Sequence, residues 1–432
     1  MNQKPTNEYN WAGNLAYSAA RMHHPETIEQ LQEIVHGSRK VRVLGSRHSF
    51  NSIANTPEDL ICLDKFAQQV TVDRARSTVT VNAGITYGQL CLQLHGAGFA
   101  LKNMASLPHI SVAGACATAT HGSGDGNGNL ATSVAALELV TASGDVVVLD
   151  REKHAEQFQG AVVGLGGLGV VTELTLDVVP AFTMQQDVYE NLTQAEMEAH
   201  FDEIAANAYS VSLFTDWQNE RVNEVWLKRR LLEGTAMPLA PTFYGATLAH
   251  THMHPVPRLS AKTCTLQMGM PGPWHERLPH FRIDEVPSSG AELQTEYFVP
   301  REHAVAAIHA MAQLHAHMIP PLITAEIRTI AADALWMSPC YQQDCVAFHF
   351  SWDKNWPAVR NLLVMIEKQL APFDVRPHWG KLFTMPAAQV QSRYKKLADF
   401  QDLLRTYDSQ GKFRNTFLDT YIFGLPGAVD SL

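Results

Sequence analysis

The chain has 432 residues, 46% hydrophobic and 18% charged, and 33 basic against 43 acidic side chains give a formal charge of −10 with histidines neutral. At roughly 150 residues per domain that length implies two or three domains with sizeable cores. The balance excludes a disordered tail protein and weighs against a nucleic-acid partner, which needs a basic footprint. Cys62, Cys91, Cys116, Cys264, Cys340 and Cys345 show no CxxC spacing, so the sequence predicts reduced thiols, no disulfides and no structural zinc. The opening Met1-Asn2-Gln3-Lys4-Pro5 lacks a signal peptide's apolar core, and the run 161–171 is far short of the ~20 residues that span a bilayer. A soluble, cytoplasmic, monomeric protein with no membrane partner is expected.

As far as about Pro180 the pattern is α+β. Thr27 reads as the cap of a helix with apolar positions Ile28, Leu31, Ile34 and Val35. Residues 41–45 alternate as a strand and open into Ser46-Arg47-His48-Ser49-Phe50-Asn51, a loop whose backbone amides can cradle a phosphate. Short strands at 70–72 and 78–81 precede a helix capped by Thr86 and carrying Leu90, Leu92 and Leu94. Between Ala113 and Gly124 small residues dominate and no lysine or arginine occurs, so an anion there would be held by amides and hydroxyls. A tight packing corner is the competing reading; the length of the segment and the flanking His109 and His121 favour a ligand cradle. Asp125-Gly126-Asn127-Gly128-Asn129 begins like a calcium loop but has Leu130 and Ala136 where the sixth-position glycine and twelfth-position glutamate belong. Ser143-Gly144-Asp145 turns a hairpin. Gly164-Leu165-Gly166-Gly167-Leu168-Gly169 fits GxGxxG, yet a β-branched strand over 170–176 follows instead of a helix, which makes it a buried turn rather than a nicotinamide site.

Beyond Pro180, Thr193 and Glu196 suggest a capping box, and 210–214 and 222–227 are strands. Lys228-Arg229-Arg230 reads as a solvated strand end, and 232–287 as a long covering loop in which His250, His252 and His254 form a surface cluster rather than a metal site. On a strand over 323–330, Thr324, Glu326 and Arg328 share one face, which suits a hydroxyl-rich ligand or, equally from spacing, a simple salt bridge. Ala347, His349 and Ser351 form a second polar face on 346–352, and 387–404 is helical.

The two small-residue loops, about sixty residues apart, resemble the FAD-binding domain of the vanillyl-alcohol oxidase flavoprotein family. Pro377-His378-Trp379-Gly380-Lys381 adds the HWxK motif of its aldonolactone and alditol oxidase branch. With Asn10-Trp11-Ala12-Gly13-Asn14, Ser106-Leu107-Pro108-His109, Phe281 and 287–293, the chain is similar to alditol oxidases over nearly its whole length. The resemblance implies a two-domain, PCMH-type α+β fold with an antiparallel-sheet substrate domain: residues 1–180 bind FAD, 181–376 bind substrate, and 377–432 return to the FAD domain. It implies FAD bound through Gly45, Ser46, Arg47, Ser49, Ser106, Ser111, Gly114, Thr118, His121, Gly122, Ser123, Val171 and His378, and bonded covalently to His48. Arg47 stands where the family's loop has glycine. A polyol such as xylitol or sorbitol would lie against Ser106, Glu326, Arg328, Ser351 and Lys381. Lys381, Arg328 and Glu326 would be catalytic in transferring a hydride from a terminal primary alcohol to the flavin, and O2 would be reduced to hydrogen peroxide. The alternatives are an aldonolactone oxidase or dehydrogenase, and a catalytically silent flavin or sugar binder.

Overall fold

The computed structural model describes residues 8–285 and 292–426. Arg21–His23, Val41–Val43 and Asp59–Ile61 form a parallel sheet with Asp59–Ile61 in the middle. Parallel neighbours need a crossover. The Ile28–Gly37 helix provides it: the Thr27 hydroxyl accepts from the Gln30 amide, and Leu31 and Val35 bury against Val41, Ile61, Val140 and Val170.

That apolar stripe also reaches a five-stranded antiparallel sheet, ordered Val70–Asp73, Thr78–Asn82, Val170–Asp177, Val134–Val140, Val146–Asp150. The last two strands are the expected hairpin, turned at Gly144 (φ 90°). The glycine-rich segment is a turn, with Leu165 at φ 51° and Gly166 at φ 67°; a Cβ on Gly169 would stand 2.5 Å from the Val140 carbonyl. Arg42 is buried beneath it. Its guanidinium donates to the carbonyls of Gly166 (2.7 Å), Leu165 (2.8 Å), Phe413 (2.8 Å) and Ile53, which ties three distant segments together.

The large sheet follows the path Thr242–Phe243, Ala246–Leu248, Thr183–Thr193, Arg221–Arg230, Ser210–Thr215, Leu322–Ile330, Cys345–Asp353, Glu292–Pro300, Arg376–Pro377. Period two divides its faces. Ile327, Phe348 and Tyr297 share one core with helices Ala304–Ala312 and Trp356–Leu370. On the other face Glu326, His349 and Glu296 stand side by side, because Glu326 and Glu296 both pair with His349.

The segment after Leu231 carries only short strands and single turns, and it covers part of that second face. This corrects two expectations. Lys228 is not at a solvated strand end: it points with Trp226 under the covering segment and is 0% exposed, while Arg229 pairs with Asp187 and only Arg230 is exposed. His250 and His252 are exposed as expected, but His254 is buried at the wall of the central cavity. The helical text near the C-terminus divides into Ala387–Ser392 and Leu397–Tyr407. Past these helices the chain runs beside the N-terminal sheet, where Lys412 accepts from the Val41 amide at 2.9 Å and the Asn415 amide donates to the carbonyls of Ser52, Ile53 and Asn55. All six cysteines are unpaired thiols, and no helix among the described residues is long and apolar enough to cross a membrane.

Candidate active site

A cavity of about 530 Å³ runs from the N-terminal loops to the polar face of the large sheet. At the loop end, Gly45 and Gly114 approach Ser111 so closely that a Cβ would stand 2.4 and 2.7 Å from its hydroxyl. The Ser46 hydroxyl accepts from the Ser111 amide at 3.1 Å, clipping the two loops together. Arg47 has φ 64°, a left-handed conformation that explains why glycine suits this position and that costs an arginine about 1–2 kcal/mol. Its guanidinium pairs with Glu8.

His48 donates from Nδ1 to the Ser46 carbonyl at 2.8 Å, and its ring stacks on Trp11 with centroids 5.2 Å apart. Its Nε2 is buried without a partner among the described residues. Burial pushes the imidazole down to about 4, so at neutral pH the ring is uncharged and has a free lone pair. The opening Asn-Trp motif supports this loop through Asn10 and Asn14, whose amides donate to the Ser49 and Phe50 carbonyls at 2.9 Å each. The HWxK turn supports it from the far end of the chain: the Phe50 amide donates to Gly380, and Asn51 to the carbonyls of Trp379 and Lys381. His378 accepts at Nδ1 from the Gly380 amide, and burial lowers it to about 3.

At the sheet end Arg328 donates to Glu296 (2.7 Å) and Ser106 (3.2 Å) and has Glu326 3.5 Å from its Nε. Nε2 of His280 lies 2.8 Å from Glu326, and Nε2 of His121 lies 3.1 Å from Glu296. Burial alone would raise both carboxylates. Arg328 and His280 nevertheless hold Glu326 well below the usual range, as His121 and Arg328 do for Glu296. The Lys381 amine donates to Gln294 and lies 4.9 Å from the Phe50 ring centroid. Burial lowers it to about 8, with Glu296 opposing and Arg328 assisting.

An FAD binding domain model matches residues 19–150, and a D-arabinono-1,4-lactone oxidase model matches residues 291–421. An alditol oxidase of a Streptomyces species is 48% identical over 96% of this chain and 99% of its own length. The chain belongs to the FAD-dependent alditol oxidase family. The mouse L-gulonolactone oxidase is a more distant relative, 25% identical over 96% of this chain and 98% of its own. The cholesterol oxidase of B. sterolicum superposes with a TM-score of 0.76 at 13% identity, covering 96% of each chain, which relates the two folds alone.

Within the alditol oxidase family cavity, the structure brings together Gly45, Ser46, Arg47, His48, Ser49, Ser106, Ser111, Gly114, Thr118, His121, Val171, Glu326, Arg328, Ser351, His378 and Lys381. Gly122 and Ser123 are not in its lining: Gly122 packs on Met104 and Asn103, and Ser123 hydrogen-bonds Ser210. His109 likewise bonds the Ile283 carbonyl instead. Phe281 lines the cavity, whereas 287–291 of the neighbouring motif lies outside the described residues. Sequence reasoning missed Glu292, Gln294 and Glu296, although their alternation is the same signal that singled out Glu326 and Arg328. It also missed Leu165, Gly166 and Gly169 as wall residues, and His280, for which no local pattern exists. No metal was expected, but His24, Cys62 and Asp64 set ligand-type atoms within 4.8 Å of one another; a 2.6 Å hydrogen bond joins His24 and Asp64.

Proposed function

We propose that the protein oxidises the terminal primary hydroxyl of straight-chain polyols such as xylitol and sorbitol to the aldose. The observation that carries this is the pairing, in one cavity, of a small-residue cradle holding a neutral, unpartnered His48 nitrogen with the Glu326, Arg328 and Lys381 cluster. The cradle suits FAD: Gly45 and Gly114 let the two loops close on Ser111, and the unpartnered His48 nitrogen faces the same cavity. When bound, FAD supplies the hydride acceptor and passes the electrons to O2, giving hydrogen peroxide.

The chain's own residues bind, orient and deprotonate. Glu326 accepts from polyol hydroxyls, Arg328, Ser106 and Ser351 complete their hydrogen bonds, and Lys381, lowered to about 8, takes the hydroxyl proton as the free amine. A deoxy analogue leaves these buried partners unpaired, which is the source of polyol selectivity. His48, a neutral nucleophile, is the covalent attachment point. The bounds 1–180, 181–376 and 377–432 remain our division into FAD-binding, substrate and returning segments. Unpaired thiols and the −10 charge support a cytoplasmic monomer with no nucleic-acid partner.

A peroxide assay with xylitol, sorbitol, mannitol and glycerol, alongside anaerobic bleaching of the flavin, tests the reading; no turnover of any polyol would overturn it. The lactone-oxidase match over residues 291–421 favours aldonolactone oxidation as the second reading, and turnover of a lactone in preference to every polyol would establish it.

A further inference from the structure

Lys228 has no task in that reaction, yet it is fully buried and its three neighbours are specific. Its Nζ lies 2.5 Å from the Leu278 carbonyl, 2.9 Å from the Pro279 carbonyl and 3.0 Å from Nδ1 of His280. An ammonium carries three hydrogens, and here are three acceptors. If His280 accepts at Nδ1, its single proton stands on Nε2, 2.8 Å from the Glu326 carboxylate and 3.4 Å from the Ser212 hydroxyl. The opposite tautomer sets a bare Nε2 against a carboxylate, two acceptors face to face. An imidazolium would set an Nδ1–H against the Lys228 ammonium, donor against donor, and burial and Lys228 push His280 down to about 4. Burial also lowers Lys228, while Glu326 opposes that shift.

The surroundings leave little else to fix the ring. Phe214 and Trp226 pack edge-on against it, Arg328 stands beyond Glu326, and Cys264 and Arg277 are the remaining titratable groups near Lys228. The main chain of His280 is itself anchored, its amide donating to the Ser106 carbonyl at 3.0 Å.

We propose that Lys228 and His280 are positioning residues, Lys228 fixing the Nε2–H tautomer of His280 and His280 thereby holding Glu326 as the acceptor for a polyol hydroxyl. This rests on the polyol-oxidase reading. Neither residue contributes a bond-breaking step, so their loss weakens binding more than chemistry.

The test is a double-mutant cycle on the holoenzyme. Lys228→Met frees the tautomer and raises the xylitol dissociation constant in anaerobic flavin reduction about tenfold, with the limiting rate falling less than about threefold. In His280→Gln the side-chain amide has no tautomer to fix and can turn its NH2 toward Glu326 with or without Lys228, so in that background Lys228→Met adds less than about twofold. An equal factor in both backgrounds overturns the proposal. A second measurement needs neither a polyol nor a stable Lys228 variant: 15N-histidine NMR of the wild-type holoenzyme, with His280 assigned by its loss in His280→Gln. A neutral Nε2–H ring supports the proposal and an Nδ1–H ring or an imidazolium at neutral pH overturns it. Absence of bleaching by every polyol in the wild type would instead overturn the parent reading, whatever the tautomer.

Discussion

Replacing Lys381 separates a base from a fixed cation. Burial brings this amine to about 8, so in the resting enzyme most of it is protonated at neutral pH. The free-amine fraction rises about fiftyfold between about pH 6 and about pH 8 and is nearly complete a unit higher. If that amine takes the hydroxyl proton, the anaerobic rate of flavin bleaching at saturating xylitol rises with pH along that limb. Lys381→Met should abolish the limb and lower the rate roughly 10²–10⁴-fold, the usual contribution of a positioned base. Lys381→Arg keeps a cation that cannot lose its proton, and its rate should stay low and flat with pH. Rapid-scan spectra also report whether flavin content is intact. A Lys381→Arg enzyme that bleaches within about fivefold of wild type would refute proton transfer to the lysine, leaving alkoxide stabilisation by a fixed charge.

Other substitutions test single parts. Glu326→Gln removes a charge held by Arg328 and His280 and turns an acceptor into a partial donor, so kcat/KM for sorbitol should fall about 10- to 100-fold; a loss under about threefold would count against its role. Acid precipitation of the wild type should carry flavin into the pellet, and the same treatment of His48→Ala should release all of it. Flavin released from both refutes a covalent link. Arg42→Met strips the donor from four carbonyls, costing about 3 kcal/mol or more, which calorimetry should read as a drop of roughly 3 °C or more in Tm for a chain of this length; an unchanged Tm would show that the guanidinium is dispensable.

What could be read from the sequence depended on whether the determining contacts were local. The Thr27 and Thr86 side chains cap helices by accepting from the Gln30 and Gln89 amides three residues on, the Ser143-Gly144-Asp145 turn closes its own hairpin, and alternation on Leu322–Ile330 directs Glu326 and Arg328 to one face. The motif loops were visible because only small residues allow such close approach. Lys228 was misread because charge predicts solvent unless something covers it, and its cover begins four residues later in irregular chain. His254 and His280 belong to the same irregular segment, whose positions are set by contacts with distant strands. Gln294 and Glu296 differ: their pattern was present, but its meaning depends on the pairing of Glu296 with His349, a register that a single strand does not reveal.

The cofactor end of the cavity and the substrate end solve different electrostatic problems. An acidic chain can hold an anionic pyrophosphate because residues 105–124 include no lysine or arginine and offer amides instead. The substrate end concentrates charge: Arg328 lies between Glu296 and Glu326, while Lys381 is hydrogen-bonded to the neutral Gln294. A neutral polyol needs donors and acceptors there but no net charge. A sugar acid of equal length brings a carboxylate, and the positive charge of Lys381 that helps accommodate it disappears as pH rises through about 8. Because only the free-amine enzyme reacts, the ratio of kcat/KM for sorbitol and gluconate does not depend on the charge of Lys381. Binding does: the dissociation constant of gluconate relative to that of sorbitol should grow as pH rises, by up to about tenfold for one charge lost in a partly buried site. A ratio of dissociation constants that stays constant from about pH 6.5 to about pH 9 would show that Lys381 does not change its charge beside the bound carboxylate in this interval.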